Sequence, residues 1–189
     1  MTVFYLIRHA HAHWTPDEQR PLSSWGQQDA QRVAELLCSL STTGIYSSPC
    51  RRARQTVSPL ADRLGLPVHI EPDLRERELG AVPSASDFFA AVRQTWRDPS
   101  YAYRGGESNS AAQQRGVAVV VRLWERCPGK QLVLSTHGNL MALVLQRYNP
   151  HIDYDFWQAL TMPDVHELRM ESGEASITRL CRSQGRTTA

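Results

Sequence analysis

Two histidines and several arginines stand where short apolar runs give way to polar residues. Arg8-His9 follows Val3-Phe4-Tyr5-Leu6-Ile7, and Arg51-Arg52 comes shortly after Ile45-Tyr46-Ser47. Glu76 lies beyond Val68-His69-Ile70, and Thr136-His137-Gly138-Asn139 follows Leu132-Val133-Leu134-Ser135. A neutral imidazole is a nucleophile at pH 7. Two guanidinium forks match the oxygens of a phosphate or carboxylate, and a helix starting at Gly138 adds backbone donors and a favourable dipole. Such a cluster selects a dianion and stabilises the charge that builds on a phosphoryl group in flight. A carboxylic acid such as Glu76 can protonate the departing oxygen, so the chemistry requires no metal or other cofactor.

These residues form one site only if the runs before them are neighbouring strands. The unbroken β-branched and aromatic run Val3–Ile7 reads as a strand covered on both faces. Ile45–Ser47, Val68–Ile70 and Leu132–Ser135 read as three more, with Val165–Met170 and Ser176–Leu180 as two closing strands around a Ser172-Gly173 turn. After a polar, proline-broken segment from Trp14 to Ser24, Ala30, Val33, Ala34 and Leu37 mark an amphipathic helix to about Leu40. Ser48 reads as an N-cap with Pro49 in the first turn of a helix carrying Ala53, Val57, Leu60 and Leu64 and ending at Gly65-Leu66-Pro67. Further helices are expected over Ser86–Trp96, from near Ser108 with Val117, Val120, Val121 and Trp124 on one face, and over Asn139–Tyr148. The alternation predicts an α/β fold, a three-layer α/β/α sandwich with a mostly parallel central sheet of about six strands. Open sheets of this kind bind ligands at the carboxyl ends of their strands, where both histidines and the arginines fall.

Composition narrows the function classes. A length of 189 residues predicts one domain spanning 1–189, and 41% hydrophobic with 21% charged residues is an ordinary globular mix. Twenty of the 21 basic residues are arginine, but 19 acids are interspersed and the net charge is only +2. A nucleic-acid partner is therefore not expected, Arg51-Arg52-Ala53-Arg54 being the nearest thing to a basic run. No apolar stretch approaches the ~18 residues of a membrane span, and Arg8 breaks the first one too early for a signal peptide, so a cytoplasmic location is expected. Cys38, Cys50, Cys127 and Cys181 match no zinc spacing and read as reduced thiols.

Six segments resemble, in order, the motifs of the histidine phosphatase superfamily, the phosphoglycerate-mutase-like proteins. Leu6-Ile7-Arg8-His9-Ala10 is similar to its nucleophile motif, Leu22-Ser23-Ser24-Trp25-Gly26 with Ala30 to its L-[ST]-x-x-G-x-x-x-A, and Tyr46–Thr56 to its Y-S-S-x-x-x-R-A-x-x-T. Leu74–Gly80 resembles L-x-E-x-x-x-G, Gly105-Gly106-Glu107-Ser108 resembles G-G-E-S, and Thr136-His137-Gly138-Asn139 resembles the second-histidine motif. The resemblance implies that His9 becomes phosphohistidine, that Arg8, Arg52 and His137 hold the phosphoryl oxygens, and that Glu76 donates the proton and then serves as base. It extends phosphate or substrate binding to Thr15, Gly138 and Asn139, with Thr15 standing after Trp14 where mutases carry asparagine. Ala10-His11-Ala12 also departs from the usual Gly-Glu-[ST].

A phosphatase is favoured over a phosphoglycerate-mutase-type phosphoryl transferase, because only 25 positions separate Gly80 from Gly105 where mutases carry a long insertion. The segment at about 81–106 is expected to be a lid that sets specificity through Phe88, Phe89, Trp96, Tyr101, Tyr103, Arg93, Arg97 and Arg104. A metal-dependent hydrolase using His9, His11 and His13 is the other alternative, since alternation puts three imidazoles on one side of an extended segment. It leaves Arg8 and Arg52 unexplained. The implied partner is a small phosphomonoester, with no membrane or nucleic acid, and a homodimer is left open.

Overall fold

The computed structural model describes residues 1–15, 17–82, 84, 87–171 and 174–182. Its strands are β1 (Thr2–Arg8), β2 (Thr42–Ser47), β3 (Val68–Ile70), β4 (Gln131–Thr136), β5 (Asp164–Glu171) and β6 (Glu174–Arg182). Helices α1 (Ser24–Leu37), α2 (Arg51–Leu64), α3 (Phe88–Arg97), α4 (Asn109–Arg126), α5 (Gly138–Gln146) and α6 (Tyr154–Gln158) alternate with them, and a 3₁₀ turn covers Pro72–Leu74. The six strands form one sheet in the order β3-β2-β4-β1-β5-β6. Pairing is parallel from β3 to β1, and β5 runs against both of its neighbours. The expected mostly parallel α/β sheet is present.

The two faces of β1 show why its run is unbroken. Phe4 and Leu6 pack with Leu132 and Leu134 against Val119, Val120 and Leu123 of α4 and the apolar α5. Val3, Tyr5 and Ile7 face Val33 and Leu37 of α1 and Val57 and Leu60 of α2. Helices thus cover both sides of the sheet, which gives three layers. The helix α2 ends where Gly65 takes the left-handed conformation at φ 63°, which glycine adopts without a Cβ penalty. No helix among the described residues is long and apolar enough to cross a membrane.

Several local expectations are corrected. The N-cap of α2 is Cys50, which makes no side-chain cap, and Pro49 precedes the helix. The Ser48 hydroxyl is drawn away by His137. The helix α1 starts at Ser24 as expected, where the Ser23 hydroxyl accepts from Gly26 N at 3.1 Å, but ends at Leu37 rather than near Leu40. On α4 the buried face carries Ala112, Gly116, Val119, Val120 and Leu123, leaving Val117, Val121 and Trp124 half-buried. That face is turned because Gly116 meets α5. The short α6 answers to no sequence expectation. The Ser172-Gly173 turn and the first residue of the Ser86–Trp96 helix lie outside the described residues.

Candidate active site

β1 and β4 are adjacent and parallel with Arg8 opposite Thr136, so the residues that follow, His9 and His137, emerge side by side. The His9 N–H continues the ladder to the Thr136 carbonyl at 3.0 Å. The two rings meet edge to face with centroids 5.2 Å apart. Arg52, from the first turn of α2, is buried between them. Its Nε donates to His9 Nε2 and its Nη2 to His137 Nδ1, both at 3.2 Å, while Nη1 donates to the Glu18 carbonyl at 3.0 Å.

This arrangement assigns the protons. Guanidinium only donates, so His9 Nε2 and His137 Nδ1 are acceptors and the protons sit on the other ring nitrogens. His9 Nδ1 donates to the Ala10 carbonyl at 2.7 Å, and His137 Nε2 to Ser48 Oγ at 2.8 Å. Burial, then the Arg52 charge, hold the His9 imidazole well below the usual histidine range. For His137 burial acts first, then His9 and Arg52, in the same direction. Both rings are neutral near pH 7, and His9 turns an unprotonated Nε2 into the cluster.

Arg8 reaches the cluster from the end of β1. Its Nη1 donates to the Leu160 carbonyl at 2.8 Å, and its buried Nε has no hydrogen-bond partner. The guanidinium lies across the start of α5, where a Cβ on Gly138 would come within 2.9 Å of Arg8 Nε. Glycine at 138 makes room for the arginine. Glu76, on the loop after the 3₁₀ turn, sits on the same helix end. Its Oε2 accepts from Asn139 N at 3.1 Å, and its Oε1 from Leu140 N at 3.0 Å and Arg77 N at 2.9 Å.

His9, Arg8, Arg52 and His137 therefore converge, with Glu76 beside Arg8. The expected phosphate positions fare differently. The amides of Asn139 and Leu140 are committed to Glu76, and the Asn139 side chain bonds Trp96 Nε1 at 3.0 Å and Asn109 at 3.3 Å. Thr15 is exposed and offers its carbonyl to Arg20 at 3.1 Å. Arg51 and Arg54 are exposed, as is Glu78. His11 Nδ1 pairs with Ser23 Oγ at 2.8 Å, and its ring contacts those of His13 and Trp25. Among the described residues no three of His, Cys, Asp and Glu are grouped to hold a metal, so His9, His11 and His13 do not share one locus. In the segment 81–106, Trp96 reaches Asn139, Arg93 lies over the Tyr154 ring at 4.8 Å, and Phe89 contacts Trp157.

Two residues escaped the sequence reading. Ser48 orients His137, and its place in the Tyr46-Ser47-Ser48 segment was the available signal. Arg20 has a buried, unpartnered Nε and its charge bears on both His9 and His137. Its signal was its place just before the Leu22-Ser23 segment.

A family model described as the histidine phosphatase superfamily, branch 1, matches residues 4–183. The chain belongs to that superfamily. Among its histidine phosphatase relatives, phosphoglycerate mutase-like protein 4 of Arabidopsis thaliana is 29% identical over 165 residues, covering 77% of this chain and 70% of the relative. A GpmB protein of Enterobacter sp., named a probable phosphoglycerate mutase, is 26% identical over 95% of this chain and 85% of its own length. Among solved structures, a mycobacterial glucosyl-3-phosphoglycerate phosphatase, in complex with VO3, is similar with a TM-score of 0.79 and 26% identity, over 96% of this chain and 99% of that one.

Proposed function

We propose that the protein is a phosphomonoester hydrolase that works through a phosphohistidine on His9. The observation that carries this reading is the His9 ring, pinned by its Nδ1 proton to the Ala10 carbonyl so that the Nε2 lone pair, which accepts from Arg52 Nε until substrate takes its place, faces the buried cations. Nε2 attacks phosphorus, the N–P bond forms as the ester P–O bond breaks, and the leaving oxygen takes a proton from Glu76. Water then attacks the phosphohistidine, gives its proton to the Glu76 carboxylate, and phosphate leaves. Arg8, with its free Nε, and Arg52 stabilise the equatorial oxygens, and His137 keeps the Arg52 fork in place by accepting from its Nη2. On Glu76, Oε1 already accepts two N–H groups and Oε2 one, which makes Oε2 the atom that carries the proton.

Hydrolysis is favoured over mutase transfer by the short 81–106 segment, which acts as the specificity lid of a single catalytic domain. The similarity to a glucosyl-3-phosphoglycerate phosphatase supports a phosphorylated small molecule as substrate. Buried arginines supply the charge that a metal ion would otherwise bring. A panel of phosphomonoesters assayed with and without excess EDTA tests the reading. Turnover of at least one ester, undiminished by chelator and not raised by zinc, is expected. Activity lost on stripping and restored by zinc supports the metallohydrolase alternative instead.

A further inference from the structure

Glu107 is the charged residue of the Gly105-Gly106-Glu107-Ser108 segment, and the chemistry proposed above gives it no part. It forms a two-point ion pair with Arg115 of α4, Arg115 Nε to Oε1 at 2.7 Å and Nη2 to Oε2 at 2.8 Å. Both side chains are largely buried, at 16% and 11% exposure, and a fork–fork pair of this kind has one geometry. Held so, the guanidinium turns its remaining N–H bonds onto one stretch of main chain. Nη1 donates to the Asp73 carbonyl at 2.6 Å and to that of Arg75 at 2.9 Å, and Nη2 to that of Glu76 at 3.2 Å. The Glu107 amide donates to the Glu78 carbonyl at 2.8 Å. The loop is thus fixed on both sides of Glu76.

The next residue of α4 fixes the other half of the geometry. A Cβ on Gly116 would come within 2.6 Å of Val144 Cγ2 and 2.9 Å of Leu140 Cδ1, so α4 and α5 meet closely there. Arg115 holds the loop that bears Glu76, and Gly116 seats the helix whose first amides receive its carboxylate. One turn of α4 thus meets both the loop that bears Glu76 and the helix whose amides hold its carboxylate.

We infer that Glu107 and Arg115 are positioning residues for Glu76, touching no reacting atom but fixing the carboxyl group that protonates the leaving oxygen. The inference rests on the reading of Glu76 as general acid. A general acid matters most for a poor leaving group, because a good one departs as an anion.

The test compares kcat/KM on p-nitrophenyl phosphate and on an alkyl phosphate for full-length Glu107→Gln, Arg115→Lys, Glu76→Gln and the double variant Glu76→Gln/Glu107→Gln. Glu107→Gln is expected to lose on the order of tenfold more on the alkyl phosphate than on the nitrophenyl ester, since small misplacements of a reacting group cost up to about 10²-fold. Arg115→Lys keeps the charge but loses the fork, and is expected to show the same selectivity even if Glu107→Gln folds poorly. The double variant should lose no more than Glu76→Gln alone. Equal losses on both esters in Glu107→Gln and Arg115→Lys, or losses that multiply in the double variant, overturn the positioning role while a selective Glu76→Gln upholds the acid. Equal losses in Glu76→Gln itself overturn the acid.

Discussion

Alanine in place of His9 is expected to reduce turnover of every phosphomonoester by on the order of 10⁴-fold or more, as loss of a covalent nucleophile does. Nothing else in the cluster can replace it. His137 is the nearest imidazole, but its Nε2 carries a proton committed to Ser48. The fold should survive, because the His9 N–H keeps its ladder bond to the Thr136 carbonyl whatever the side chain. Circular dichroism matching the wild type, with activity above about a hundredth of it, would remove His9 as the nucleophile.

The same residue predicts a pH dependence. Burial and Arg52 depress the His9 pKa in the folded state, so the neutral nucleophile persists below the usual value of about 6.5, and the acid limb of kcat/KM should lie below that pH. Stability moves the other way. A histidine with a depressed folded pKa binds more protons unfolded than folded, so its contribution weakens as pH falls through about 6.5. Activity retained at pH 5.5 while Tm drops is the expected pair of results. An acid limb centred above 6.5 counts against a depressed His9.

Arg52→Ala carries the second large effect. It removes the donor that bridges the two imidazoles and, on the proposed mechanism, the charge facing the transferring phosphoryl group. Losses in kcat/KM on the order of a hundredfold or more are expected, similar for p-nitrophenyl and alkyl phosphates, because the stabilised charge is on phosphorus oxygens whatever the leaving group. Arg52→Lys should recover little, since one ammonium cannot span both ring nitrogens as the fork does. A loss confined to the alkyl ester would place Arg52 with the proton donor instead.

The central strands, the crossover helices and the convergence of two histidines with at least two arginines are legible because they depend on local pattern plus a general rule of sheet topology, whereas the choice of Arg52 over Arg51 rests on the resemblance to the histidine phosphatases. Phe4 and Leu6 facing one layer while Val3, Tyr5 and Ile7 face the other is what an unbroken apolar run encodes. What failed depended on partners distant in sequence. Ser48 looked like a cap because its competitor for the hydroxyl, His137, is visible only once β2 and β4 are paired. The start of α5 looked like a phosphate cradle because nothing local shows that Glu76 will occupy the Asn139 and Leu140 amides. The helical face of α4 was misplaced because apolarity alone does not reveal a close approach at Gly116. Arg20 sits in a segment with no periodicity, and α6 has too few turns to have one.

His9 and His137 leave adjacent parallel strands, ~4.8 Å apart, at the same level, and their ring centroids lie 5.2 Å apart. The gauge of the reaction is therefore written in main-chain hydrogen bonds. Substitutions around the rim can retune which ester enters while the phosphoryl-transfer geometry passes unchanged from one specificity to the next. It also ties lifetime to architecture. The interior strands of a sheet are among the last parts of a protein to open, so on warming the two histidines should keep their spacing until the sheet itself comes apart.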